Sequence, residues 1–173
     1  GGAEYTGKAI PGALSIALEL QVTLGRPGQW KTVPLVGDDV ILVRARVGER
    51  SIPVSRHRGF HVWITQETGE ATVHLDLLIP ARGPRGSIEY DFLISRTPVT
   101  RFSCFFPVAD LEPRLDAAVR SKTAPKDGGT LFTATVKPTN RVHLVGFRDM
   151  GEAAARKAKV YTESLNLLSV DEG

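Results

Sequence analysis

Six residues in three neighbouring stretches have the composition of a binding site. Trp63 and His61 stand in "FHVWIT", His74 and Asp76 in "ATVHLDLLI", and Glu89 and Asp91 in "GSIEYDFLI". An indole with carboxylates beside it suits a sugar, the ring stacking and the acceptors taking hydroxyls. The imidazoles and carboxylates could equally ligate a divalent metal. Spacing is what brings them together. A turn centred on Thr68-Gly69 opposes Phe60 to Leu77, Val62 to Leu75 and Ile64 to Val73, so one face of the hairpin is wholly apolar. The other face then pairs His61 with Asp76, Trp63 with His74 and Thr65 with Thr72. Glu89 and Asp91 join that outer face if their strand pairs with Ala71–Ile79. A polar face open to water is the default for an antiparallel sheet. That plain reading ranks first, a ligand second and a metal third.

A second group is cationic. Arg44, Arg46, Arg50, Arg56 and Arg58 crowd into one stretch, and against the single Glu49 they give it a net charge of +4. Guanidinium forks hold phosphate and carboxylate well, which suits an acidic partner. No aromatic residue lies among them, so a solvated strand edge guarded against aggregation is the preferred reading. His57 and His61 are four apart. In a strand they share a face but stand about 13 Å from each other, too far for one metal. Cys104 in "RFSCFFP" shares a face with Phe102 and Phe106 and reads as a core thiol.

Nucleophile-elbow, phosphate-loop, dinucleotide and zinc-hydrolase patterns are all absent. Asp38-Asp39 sits in a turn, where backbone hydrogen bonding accounts for it. No catalytic constellation, resident metal or cofactor emerges, and the expectation is a protein that is not an enzyme.

The elements that must carry these residues are strands. In "ALSIALELQVTL" Leu14, Ile16, Leu18, Leu20, Val22 and Leu24 alternate with Ser15, Ala17, Glu19, Gln21 and Thr23. A strand puts all six apolar side chains on one side, whereas a helix would scatter them. "VILVRARV" at Val40–Val47 follows the same logic. Further strands are expected at Gln29–Leu35, Phe60–Thr65, Ala71–Ile79, Ser87–Ile94, Arg101–Phe106, Thr130–Lys137, Arg141–Phe147 and Lys159–Val170. Turn residues separate them, in "GRPG", "GDD", "ETGE", "ARGPRG", "KDGG" and "KPTN". Pro34 and Pro53 push their stretches toward an edge or a bulge. Helical turns are expected only at Glu152–Lys157 and Leu111–Arg120. Many short strands with little helix predict an all-β, two-layer antiparallel sandwich, immunoglobulin-like or jelly-roll-like, with a closed barrel second.

A chain of 173 residues suits one domain. The ending "ESLNLLSV" repeats the pattern of "GALSIALEL". Residues 160–173 are then either the last strand or the start of a following module. The net charge of +3 gives no reason to expect nucleic acid. The one cysteine allows no intrachain disulfide, and no apolar run approaches the roughly 18 residues that span a bilayer as a helix.

The segments "WKTVPLVGDDVILVRARVGERSIPV", "TVHLDLLIPARG", "GSIEYDFLISRTPVTRFSCFFP" and "KPTNRVHLVGF" resemble a β-rich module that recurs in large bacterial envelope-associated proteins. The resemblance implies a periplasmic or extracellular scaffold and carries over no catalytic residue. The functional expectation is a non-catalytic structural or protein-interaction module of a larger cell-envelope protein. Its partner is another envelope protein or a neighbouring domain, met through a strand edge or the arginine-rich rim. The alternative is a carbohydrate-binding module built around Trp63.

Overall fold

Strand alternation in Ala13–Leu24 has the outcome that a side-chain period of two requires. Leu14, Ile16, Leu18, Leu20 and Leu24 are buried, while Ala17, Glu19, Gln21 and Thr23 are exposed. The computed structural model describes residues 1–84 and 88–148, the side chain of Arg148 excepted. Among the described residues there are fourteen strands and no helix. In chain order they begin with β1 (Gly2–Ile10), β2 (Ala13–Leu24), β3 (Lys31–Gly37), β4 (Ile41–Val47), β5 (Arg50–Ser51), β6 (Val54–His57) and β7 (Phe60–Thr65). They continue with β8 (Gly69–Pro80), β9 (Glu89–Leu93), β10 (Val99–Phe106), β11 (Leu111–Leu115), β12 (Ala118–Lys126), β13 (Gly129–Val136) and β14 (Arg141–Arg148). The expected strand Lys159–Val170, the helical turn Glu152–Lys157 and the reading of residues 160–173 lie outside the described residues.

One layer is an eight-stranded sheet in the order β12-β13-β10-β1-β2-β8-β4-β5. The other consists of two three-stranded sheets, β3-β7-β6 and β11-β14-β9. A single bridge between Val36 and Ile94 links them. Apolar side chains of all three sheets form one buried cluster, with Tyr5, Leu18, Leu75, Phe102 and Phe132 from the large sheet meeting Trp63, Phe92 and Leu144 from the small ones. The architecture is therefore an open all-β sandwich and not a barrel.

Pairing departs from the expected pattern in four places. β1 runs parallel to β10, which makes the large sheet mixed. β7 does not pair with β8: it lies between β3 and β6, while β8 lies between β2 and β4. β9 pairs with β14 and not with β8. Leu111–Arg120 is not helical but two strands joined by a turn at Asp116-Ala117, because Leu111, Pro113 and Leu115 turn inward at alternate positions as β11 pairs with β14.

β1 occupies the centre of the large sheet with an unpromising inner row of Ala3, Tyr5, Gly7 and Ala9. A Cβ on Gly7 would stand 3.1 Å from Ile16 Cγ1 and 3.2 Å from Cys104 Sγ, so glycine lets the neighbouring strands' side chains close over it. Pro34 falls where the sequence places it, on an edge strand at a register shift between Pro34 and Val36. "KDGG" is a two-residue hairpin turn joining β12 to β13, with positive φ at Asp127 and Gly128.

Candidate functional site

The six residues expected to share one face lie in three places. Trp63 is 1% exposed and packs in the core. His61 is buried beside it, and its Nε2–H donates to the Val40 carbonyl at 3.0 Å. His74 and Asp76 are on the outer face of the large sheet, where β8 meets β2 and β4. Glu89 and Asp91 are on the outer face of the β11-β14-β9 sheet. The proposed hairpin inverted β7, because register was taken from β8 when β3 and β6 set it. A buried Trp63 offers no platform to a sugar. Among the described residues no group of three or more His, Cys, Asp or Glu side chains is arranged to hold a metal ion.

Cys104 is fully buried, and burial pushes its thiol up to about 12, so it carries little thiolate near neutrality.

Glu89 and Asp91 find different partners, and the sequence reading missed both. Arg141 donates from Nε to Asp91 Oδ1 at 2.9 Å and from its terminal nitrogen to Oδ2 at 3.2 Å, while Arg82 reaches the same carboxylate at 3.2 Å. His143 Nε2 lies 2.8 Å from Glu89 Oε1, and its Nδ1 lies 3.5 Å from Asp116. The hydrogen bond to Glu89 raises the pKa of His143 above the ordinary value, with some burial opposing and the Asp116, Glu89 and Asp91 charges adding to the rise. The signal was alternation within "RVHLV", which places Arg141 and His143 on one face, but choosing their partners needed the non-local pairing of β14 with β9.

The arginine-rich stretch does occupy a strand edge. β5 ends the large sheet and β6 ends the β3-β7-β6 sheet, and only Ile52-Pro53 separates the two. Arg44 stands 4.0 Å from Asp76, and Arg50 is paired with Glu67. Among the described residues Arg46, Arg56 and Arg58 have no ion pair. Cations on both end strands guard edges that would otherwise template another chain.

Beside that rim the outer face of the β3-β7-β6 sheet is mixed, with Phe60, Val62, Ile64 and Pro34 beside Thr32, Ser55 and His57. Because Trp63 faces the core, Phe60, Val62 and Ile64 face away from it, and Ile64 is 44% exposed. Val62, Phe60 and Ile94 floor a groove of about 560 Å³, walled by Pro34, Thr32 and Asn140. Ser95 closes one side by donating its hydroxyl to the carbonyls of Pro34 at 2.6 Å and Leu35 at 3.0 Å. His57, Arg58 and Arg96 also line the groove, and no carboxylate does. Arg58 and Gly59 both have positive φ, 51° and 83°, in the two-residue turn between β6 and β7. Asparagine, aspartate or glycine would take the first of those positions with less strain. Trp30, two residues before Thr32, is 69% exposed.

No family model and no curated protein matches the chain. Among solved structures it is similar to an M1 zinc metallopeptidase from Deinococcus radiodurans, with a TM-score of 0.53 and 12% identity over 83% of this chain. A mutant two-domain M1 zinc metallopeptidase bound to L-arginine matches with the same values. An aminopeptidase N family protein from Idiomarina loihiensis matches with a TM-score of 0.48 and 13% identity. The chain spans 41% of the length of the first two matched chains. The likeness is one of fold: the protein is a β domain built like part of an M1 zinc metallopeptidase.

Proposed function

We propose that this chain is a non-catalytic interaction module of a larger bacterial cell-envelope protein, periplasmic or extracellular, which seats a neighbouring domain on the outer face of its β3-β7-β6 sheet. The observation that carries the reading is Ile64, 44% exposed on the outer face of β7 opposite Thr32 of the groove lining, with Trp30 69% exposed just before β3. The likeness to 41% of a longer peptidase chain supports a role as one part of a larger protein. The absence of a His-Glu-x-x-His pattern from the sequence supports a part that does not itself hold catalytic zinc. The resemblance of "WKTVPLVGDDVILVRARVGERSIPV" and "KPTNRVHLVGF" to envelope modules supports the compartment.

The two tryptophans supply the test, because Trp30 is open to solvent and Trp63 is not. Acrylamide quenching is compared between this chain and the longer polypeptide that includes its adjoining domain, with Trp30→Phe identifying the accessible component. The expected result is that Trp30 loses accessibility in the longer protein and regains it when Ile64→Lys breaks the contact. Equal quenching of Trp30 in both proteins would overturn the reading.

A further inference from the structure

The groove carries information about what it receives. Its accessible apolar surface comes from Phe60, half-buried, and Pro34, exposed, over a base of buried Val62 and Ile94. Two guanidinium groups, Arg58 and Arg96, line the same groove, and among the described residues neither is ion-paired. A guanidinium beside apolar surface, with no carboxylate in the lining, favours a ligand that brings its own anion.

We infer that the groove binds an acidic, apolar peptide segment, setting a large apolar side chain against Phe60 and Pro34 and a carboxylate within reach of Arg58 and Arg96. Thr32 and Asn140 in the walls offer hydrogen bonds to a peptide backbone, which an acyl chain could not use. The volume of about 560 Å³ suits two or three side chains and falls within the ordinary range for ligand sites. This rests on the reading of the face as a docking surface and specifies the chemistry of what docks there. Charge also supplies selectivity, because a partner segment bearing lysine would meet two cations.

The experiment uses the 173-residue chain, labelled with ¹⁵N, and three probes. The first is the capped tetrapeptide Asp-Leu-Phe-Glu, the second its uncharged Asn-Leu-Phe-Gln twin, and the third decanoate. The acidic peptide is expected to shift amide signals of Phe60, Val62 and Ile94. Its twin should bind about tenfold more weakly, the worth of one charge-assisted contact. Arg58→Gln and Arg96→Gln should each cost a similar factor, while Lys122→Gln, on β12 at the far edge of the large sheet, should cost nothing. Added salt should weaken the acidic peptide more than its twin. Equal affinity for the two peptides, no shifts in the groove, indifference to both arginine substitutions, or decanoate binding as tightly as the acidic peptide would each overturn the inference. These readouts need only this chain, so their failure is separable from failure of the docking reading, which is measured at Trp30 in the longer protein.

Discussion

The two small sheets have three strands each, lie in the same layer and cover the same large sheet, yet their outer faces are opposites. On β11-β14-β9 the outer side chains answer one another: Asp91 takes Arg141 and Arg82, Glu89 takes His143, and Arg114 stands 5.1 Å over the ring of Phe147. On β3-β7-β6 the corresponding face offers Phe60, Val62 and Ile64, with Arg58 and Arg96 unpaired among the described residues. The first face pairs its own charges although Phe147 is 49% exposed, and the second leaves Arg58 and Arg96 without an ion pair among the described residues. Where a sheet has a finished polar network, function is poorly served by looking there. The unfinished face is the informative one.

The largest expected effect separates the two sides of β7. Trp63→Ala removes a buried indole from the shared core and should cost about 3–5 kcal/mol, read by urea unfolding. Ile64→Ala, one residue along on the uncovered side, should stay within about 0.5 kcal/mol. Similar losses at both positions would mean that β7 has no distinct inner and outer face.

A smaller difference should appear between the two outer faces themselves. Asp91→Ala leaves Arg141 and Arg82 without their shared carboxylate and should lower the Tm, because that side chain is only 17% exposed. Arg58→Ala on the other sheet breaks no hydrogen bond or ion pair among the described residues, so the Tm should be unchanged within error. A drop as large as that of Asp91→Ala would show that Arg58 already has a structural partner, and the contrast between the faces would narrow.

Local pattern was legible wherever an element's inner row was large and its face unambiguous. β2 and β8 carry Leu, Ile and Val at every second position, and these are buried in the expected phase, save that Val22 and the Ala71 opposite it are half-buried. Pro34 and the Asp127-Gly128 turn declared themselves by backbone chemistry alone. β1 did not, because its inner row of Ala3, Tyr5, Gly7 and Ala9 permits close approach and holds no large aliphatic residue to announce a buried face. β7 misled for another reason: "FHVWIT" is apolar on both faces, since one face meets the core and the other the groove. A period-two reading then has two solutions, and only the pairing with β3 and β6, which come before it in the chain, decides between them. The six-residue patch failed with that decision. The arginine-rich edge survived, because its logic needs only that the stretch end a sheet.

Beneath the small sheets, Tyr5 stacks on Phe102 at 4.4 Å, and its hydroxyl is buried with no hydrogen-bond partner among the described residues. Burial pushes the phenol above its ordinary value, so it stays neutral. Tyr5→Phe should therefore raise stability by about 1 kcal/mol, since it removes an unsatisfied polar atom and keeps the ring. A loss of stability would instead indicate a partner for the hydroxyl, such as an interior water.

The smallest effect concerns how the finished face depends on pH. His143 binds its proton more tightly when folded, chiefly through the hydrogen bond to Glu89, so its folded pKa lies above the ordinary 6.5. The linked contribution is fully present below about pH 6.5, where both states are protonated, and is lost as pH rises through the raised folded value. The groups facing the imidazole are Glu89, Asp116 and Asp91, all carboxylates, with Arg141 drawn toward Asp91. Thermal unfolding of the protein and of His143→Gln, compared from about pH 6 to about pH 9, should show a difference that shrinks as pH rises. The partners are largely open to solvent, so added salt should shrink it as well. A difference that held constant across that range would assign His143 a packing role only, and the β11-β14-β9 face would owe its completeness to the Asp91 cluster alone.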